Sequence, residues 1–231
     1  MFLDKFYKIF LILILSTFQI VYADDEKNLF KKKEIVGSKN FLHEYESINQ
    51  NGSINVVVEI SVGENEKWEV SKKDGILKWE FTNNSYRTIK YLPYPVNYGF
   101  IPQTILSKNI GGDGDPIDVL LLGEKFKKGS VVEAKILGLM MMKDNGNDDH
   151  KIIAIPYKGK IFPEKNLNNL NDLKKNYPGV LIILETWFKN YKRSGLIEII
   201  GYEDKQASFK LIEKAKKPYE LLKGYWLNKS Q

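Results

Sequence analysis

Cysteine is absent from the 231-residue chain, which excludes disulfides, zinc–thiolate sites and thiol catalysis together. Histidine is nearly absent: His43 and His150 are the only two, and they argue against a histidine triad or a histidine-rich metal site. Neither sign of charge dominates, with 35 Lys and Arg against 29 Asp and Glu and a net charge of +6. The basic residues are spread out. Lys31–Lys33 and Lys214–Lys217 read as solvated faces rather than a nucleic-acid patch. An excess this small favours a compact anionic substrate. With 43% hydrophobic and 28% charged residues, the chain is that of a soluble globular protein. Its length suits one domain or two small ones, and it can bury a core without covalent staples.

The chemistry gathers in one stretch, Gly111-Gly112-Asp113-Gly114-Asp115-Pro116-Ile117-Asp118. The glycines let the backbone turn tightly among three carboxylates. Pro116 pushes Asp115 towards an extended conformation. From Ile117 to Leu122 the run is apolar and reads as a strand buried on both faces, with Asp118 inside it. A charge there is costly unless it is paired or bound to a cation. Oxygen ligands at such short range suit Mg2+ or Mn2+. A second acidic turn, Lys143 to Lys151, brings Asp144, Asp148 and Asp149 near one another. It is not a calcium-loop motif, because its glycine is misplaced and no glutamate closes it.

The N-terminus has the layout of an export signal. Lys5 and Lys8 precede a mostly apolar run from Ile9 to Ile20, followed by Val21-Tyr22-Ala23 and then Asp24-Asp25-Glu26. The 12-residue run is shorter than the ~20 residues of a membrane span. Residues 1–23 are therefore expected to be a signal peptide, 24–50 a polar arm, and 51–231 the folded domain.

Within that domain, Ile54–Ile60 reads as a strand ending near Glu59. Lys67–Val70 and Ile76–Phe81 form a hairpin across an Asp74-Gly75 turn. Alternation places Lys67 and Glu69 on one face. Ser85–Tyr91, with Arg87, is expected to be a strand. Pro93 to Pro102 forms a rigid aromatic loop in which Tyr94, Tyr98 and Phe100 pack while a phenol is free to reach a ligand. Val131–Met142 is a long strand with a bulge or bend at Gly138. Lys151–Pro156 is another, with Lys151 at its entry. A short helical turn spans 168–176. A longer helix begins with Pro178 at its first position and runs to about Lys192, its buried face carrying Leu184, Trp187, Phe188 and Tyr191. A strand over 195–202 and a helix over 207–223 complete the chain. Many strands followed by helices predict an α+β fold built on a closed β-barrel with outer helices.

These residues together resemble the soluble family I inorganic pyrophosphatases. The most specific motif of that family appears as Asp113-Gly114-Asp115-Pro116-Ile117-Asp118-Val119. Val57-Val58-Glu59-Ile60, Lys67 and Glu69, Asn97-Tyr98-Gly99, Asp144 to Lys151 and Tyr191-Lys192 agree in order and spacing. The resemblance implies a five-stranded OB-like barrel, a homo-oligomer that is commonly a hexamer in bacteria, and Mg2+-dependent hydrolysis of pyrophosphate, with Mn2+ as a substitute. By the same resemblance, Asp113, Asp118, Asp144 and Asp149 match metal ligands. Asp115 matches the residue that helps generate the attacking hydroxide. Lys67, Arg87, Tyr98, Lys151, Tyr191 and Lys192 match groups that hold substrate oxygens. Glu59 and Glu69 match supporting or accessory metal positions.

Three departures stand out. The spacing from Arg87 to Tyr98 is about one residue short, so Lys90 competes with Arg87 for the arginine role. Asn145 replaces an acid often found after the first carboxylate of the second acidic turn. An export signal implies a periplasmic or secreted enzyme, against a cytoplasmic one if the signal is unused. The rival functions are hydrolysis of another short phosphoanhydride, such as tripolyphosphate, and a non-catalytic OB-type binding module.

Overall fold

The computed structural model describes residues 33–161, 167–192 and 195–229. The expected signal peptide and the first part of the arm lie outside them. The chain divides into two units, residues 1–35 and 36–231. The described part of the first contains a two-residue strand, β1 (Glu34–Ile35).

The second unit carries β2 (Ile54–Ile60), β3 (Trp68–Val70), β4 (Leu77–Trp79), β5 (Phe81–Thr82), β6 (Ser85–Tyr86), β7 (Asn97–Phe100) and β8 (Asp118–Leu121). Then come β9 (Val131–Asp144), β10 (Asn147–Asp148), β11 (Lys151–Pro156), helices α1 (Leu170–Asn176) and α2 (Val180–Asn190), β12 (Ile197–Glu203) and α3 (Lys205–Lys229). Five strands close a ring. β2 pairs antiparallel with β7, and β7 with β8. β8 runs parallel to β11, β11 antiparallel to β9, and β9 returns antiparallel to β2. Closure leaves these five strands no free edge. The result is the expected five-stranded OB-like barrel with helices outside.

β9 makes closure possible because it is 14 residues long. Its start pairs with β2, its middle with β11, and its far end with β10 and β12. The register slips opposite Ile153 and Ala154, where Gly138 and Ile136 are the partners and Leu137 is left over. That is the expected bulge. A Cβ on Gly138 would stand 2.5 Å from Leu170 Cδ1 and 2.6 Å from the Glu203 carbonyl, so glycine is what lets α1 lie against the barrel.

The core is aliphatic. Val56 and Val58 of β2, Val119 and Leu121 of β8, and Ile152 and Ala154 of β11 are fully buried, and Ile212 and Ala215 of α3 join them. Burying each Val, Leu or Ile stabilises the fold by about 1.5–3 kcal/mol. Among the described residues, no helix is long and apolar enough to cross a membrane.

Four local expectations are corrected. The strand expected over 85–91 ends at Tyr86, because β5 and β6 form their own hairpin. Its turn residues, Asn83 and Asn84, have φ of 50° and 57°, the left-handed pair of a two-residue turn. Pro178 does not open α2. Gly179 takes φ 90° at the N-cap, and the helix starts at Val180. The later part of the arm is not a loose extension: Phe41 and Leu42 are buried, and the Phe41 amide donates to the Gly75 carbonyl. Asp148 parts from its neighbours. Asn145-Gly146 turns β9 back into β10, leaving Asp148 exposed while Asp144 and Asp149 face the barrel mouth.

Candidate active site

Each barrel strand delivers a polar residue to one mouth: Glu59 from β2, Tyr98 from β7, Asp118 from β8, Asp144 from β9 and Lys151 from β11. Lys67 and Glu69 come from the β3 hairpin, Arg87 from beyond β6, Asp113 and Asp115 from the loop before β8, and Tyr191 and Lys192 from the end of α2. With Asp149, every site residue expected from sequence lines a single cleft of about 340 Å³. Lys90 is exposed and lies outside that lining, whereas Arg87 is within it.

Local geometry explains the convergence. β2 and β7 slip in register between Val58 and Ile60, which makes Glu59 the extra residue of a β-bulge. The bulge turns Glu59 inward, where it is 4% exposed and its Oε1 accepts the Val70 amide at 2.7 Å. Asn97 holds the neighbouring loops. Its Oδ1 accepts from the Val62 and Phe126 amides, and its Nδ2 donates to the Leu121 and Glu124 carbonyls. All four hydrogen-bonding positions of this fully buried amide are used. A Cβ on Gly99 would sit 2.0 Å from the Val57 carbonyl, so the close pairing of β7 with β2 admits only glycine. Asn97 and Gly99 thus serve the frame that presents Tyr98.

The acidic loop is pinned at both ends. Asp113 Oδ1 accepts the Asp115 amide at 2.9 Å, an Asx turn. The Leu106 amide donates to the Asp115 carbonyl, and the Leu106 carbonyl accepts from Gly114. The Ile117 amide donates to Thr104 Oγ1 at 3.1 Å.

Seven carboxylates (Glu59, Glu69, Asp113, Asp115, Asp118, Asp144 and Asp149) face five cations (Lys67, Lys72, Arg87, Lys151 and Lys192). Lys151 bridges Asp118 and Asp149; Lys192 holds Asp144. Lys67 pairs with Glu69 at 3.1 Å, and Arg87 with Glu80 at 2.7 Å. Lys67 and Lys151 also lie over the Tyr98 ring, at 5.2 and 5.7 Å from its centroid. Tyr191 stacks on Trp187 at 4.6 Å, and Trp187 packs against Tyr94 at 4.5 Å, so an aromatic wall backs the phenols.

The titration behaviour reflects this crowding. Burial and repulsion from Asp115 raise Asp113. Burial lifts Asp149 to about 6; Lys151 opposes the rise and Asp118 adds to it. Burial holds Glu59 well above its ordinary range despite Lys67. For Lys151, burial favours the neutral amine, but Asp118 and Asp149 outweigh it and keep the ammonium charged.

These donors fit a hard divalent cation. They are carboxylate oxygens without sulfur or imidazole, and seven carboxylates against five cations leave the cleft short of positive charge. Among the described residues, no three carboxylates converge into a closed cage. Lysines instead hold five of the seven along the wall, Lys151 taking two of them, while Glu59 and Asp113 accept backbone amides.

Two lining residues carry no signal of their own in the sequence. Lys72 reaches the acidic loop from the β3–β4 turn, and nothing in its local sequence separates it from Lys73. Tyr94 is buried among the other aromatics of its loop, where packing and ligand contact look alike in sequence.

The inorganic pyrophosphatase family model matches residues 56–220. An inorganic pyrophosphatase of Helicobacter pylori is 35% identical over 173 residues, spanning 73% of this chain and 92% of the relative. One from Saccharolobus solfataricus is 33% identical over 71% of this chain and 92% of its own length. Among solved structures, the type I inorganic pyrophosphatase of P. falciparum superposes with a TM-score of 0.71 at 32% identity, covering 79% of this chain and 64% of that one. A truncated Trypanosoma cruzi vacuolar soluble pyrophosphatase in complex with PPi gives 0.74 at 26% identity, with 79% of each chain covered.

Proposed function

The chain belongs to the inorganic pyrophosphatase family, and we propose that its cleft hydrolyses pyrophosphate to two phosphates with Mg2+ held by Asp113, Asp118, Asp144 and Asp149. The observation that carries this reading is the alternation of seven carboxylates with five cations at one barrel mouth. Bound there, divalent cations would neutralise charge and act as Lewis acids towards water and the phosphoryl oxygens. Mn2+, another oxygen-seeking cation, is the expected substitute.

The chain's own groups do the rest. Lys67, Arg87, Lys151 and Lys192 bind the substrate oxygens, Arg87 through a planar fork and the lysines as point charges. Tyr98 and Tyr191 donate phenolic hydrogen bonds; burial first and nearby carboxylates second keep the Tyr98 hydroxyl protonated. Asp115 accepts a proton from the attacking water. The water oxygen bonds to one phosphorus, the bridging P–O bond breaks, and the leaving phosphate takes the bridging oxygen. Glu59 and Glu69 orient Lys67 and Val70 from behind the reacting groups. Positioning and charge stabilisation supply the rate, as expected for phosphoryl transfer.

Two further readings belong here. The enzyme assembles as a homo-oligomer, supported by the exposed Ile182 and Ile183 of α2, at 68% and 58%. It acts outside the cytoplasm, supported by the Lys5 to Ala23 signal layout.

The test is phosphate release from pyrophosphate with and without Mg2+, beside Asp115→Asn. Metal-dependent release that collapses in the variant supports the assignment. A folded, cation-binding protein that releases none removes it, and parallel assays on tripolyphosphate and single-stranded RNA then probe the alternatives.

A further inference from the structure

Lys72 lines the cleft but has no part in the reaction described so far. It stands in the turn between β3 and β4, which is closed by the Ser71 amide donating to the Ile76 carbonyl and the Gly75 amide donating to the Ser71 carbonyl. From there its ammonium crosses to the acidic loop. Nζ donates to the Gly114 carbonyl at 2.7 Å and pairs with the Asp115 carboxylate. Both contacts span more than 40 residues of sequence.

The other cations in the cleft have other partners. Lys67 takes Glu69, Arg87 takes Glu80, Lys151 takes Asp118 and Asp149, and Lys192 takes Asp144. Among the described residues, Lys72 alone forms an ion pair with Asp115. The Asp115 side chain is half exposed, so packing does not hold its rotamer. The backbone on either side of it is fixed by the Asx turn at Asp113 and by Leu106. What remains free is the carboxylate itself, and Lys72 restrains that group together with the peptide preceding it.

We propose that Lys72 is a positioning residue for pyrophosphate hydrolysis: its ammonium aims the Asp115 carboxylate at the attacking water and ties the β3–β4 turn to the acidic loop. This rests on the role given to Asp115. A small misplacement of a reacting group costs orders of magnitude in rate, which is why one tether matters. Because Lys72 acts through Asp115 rather than on the substrate, its loss lowers kcat and leaves KM for pyrophosphate nearly unchanged.

The experiment is a double-mutant cycle on the full chain, with kcat and KM measured for pyrophosphate at saturating Mg2+. Lys72→Met and Lys72→Gln are each expected to reduce kcat by roughly tenfold or more with KM within about twofold, and Lys72→Arg to recover much of the rate. Adding Lys72→Met to Asp115→Asn should cost less than about twofold, because the group it aims has already lost its function. Melting curves of the single variants confirm that each is folded. Full kcat in both Lys72→Met and Lys72→Gln overturns the proposal, as does a raised KM with losses that multiply in the double variant, which places Lys72 on the substrate. Full activity in Asp115→Asn alone overturns the role of Asp115, independently of what the Lys72 variants do.

Discussion

Lys151 and Asp118 stand opposite each other on parallel strands, and the Lys151 ammonium bonds both Asp118 and Asp149 while its side chain is only 3% exposed. A cation this deeply buried is held by its carboxylates, and they by it.

Removing Lys151 strands two partly buried carboxylates. Lys151→Met is expected to destabilise the metal-free protein by about 3–5 kcal/mol, the cost of an uncompensated buried charge. Saturating Mg2+ should restore part of that loss. Urea denaturation in EDTA and in Mg2+ measures both; equal losses in the two conditions sink the idea that lysine and cation serve the same carboxylates.

Arg87 lines the cleft, whereas Lys90 is exposed outside it. Arg87→Ala should raise KM for pyrophosphate by about tenfold or more, losing ~1.4 kcal/mol or more of binding. Lys90→Ala should leave kcat and KM within about twofold. Steady-state kinetics on the two variants decide it, and the reverse pattern would return the role to Lys90.

Stability should depend on pH through Asp149. Its folded pKa of about 6 exceeds the ~3.9 of a free aspartate, so between those values the native state binds a proton that the unfolded chain has released. Stability of the metal-free protein therefore falls as pH rises through that window, by up to about 2–3 kcal/mol from this group. Asp74 and Glu64 are shifted the other way, against the cost of burial, by hydrogen bonds from Lys78 and Lys128. Their contribution is lost only at lower pH. Urea midpoints in EDTA at pH 4.5 and 7 should differ more for the wild type than for Asp149→Asn. An identical pH response in the variant assigns the effect elsewhere.

Asn97 is a structural residue of the site. Asn97→Ala leaves two amides and two carbonyls without their partner and should cost about 2–4 kcal/mol. Thermal melting tests this. An unchanged melting temperature would mean that water takes over the amide's bonds.

Much of the site is legible in the sequence, because its chemistry is written in residue types at short spacing. Asp113, Asp115 and Asp118 lie within six positions, and two apolar strands, Ile54–Ile60 and Lys151–Pro156, begin and end where their patterns do. What the sequence hides is set by turns and distant neighbours. The left-handed pair at Asn83-Asn84 cuts short a strand that β-propensity extends to Tyr91. The Gly179 φ of 90° moves the start of α2 past Pro178. Phe41 and Leu42 look like arm residues in a polar stretch, and only the surface they meet makes them core.

The sequence by itself determined the chemistry: oxygen donors without thiol or a histidine set, cations at intervals between them, and a hydrophobic pattern that must bury itself as strands. These are properties of side chains and of local periodicity. Tertiary structure alone decided which of those groups meet. Ring closure through β9 and β2 brings Glu59 to the mouth that Lys151 also lines, and a bulge turns Glu59 inward. One step along a hairpin turns Asp148 away, and a turn more than 40 residues distant sends Lys72 to Asp115. Each depends on register between segments far apart in the chain, and register is set by the packing of the whole barrel.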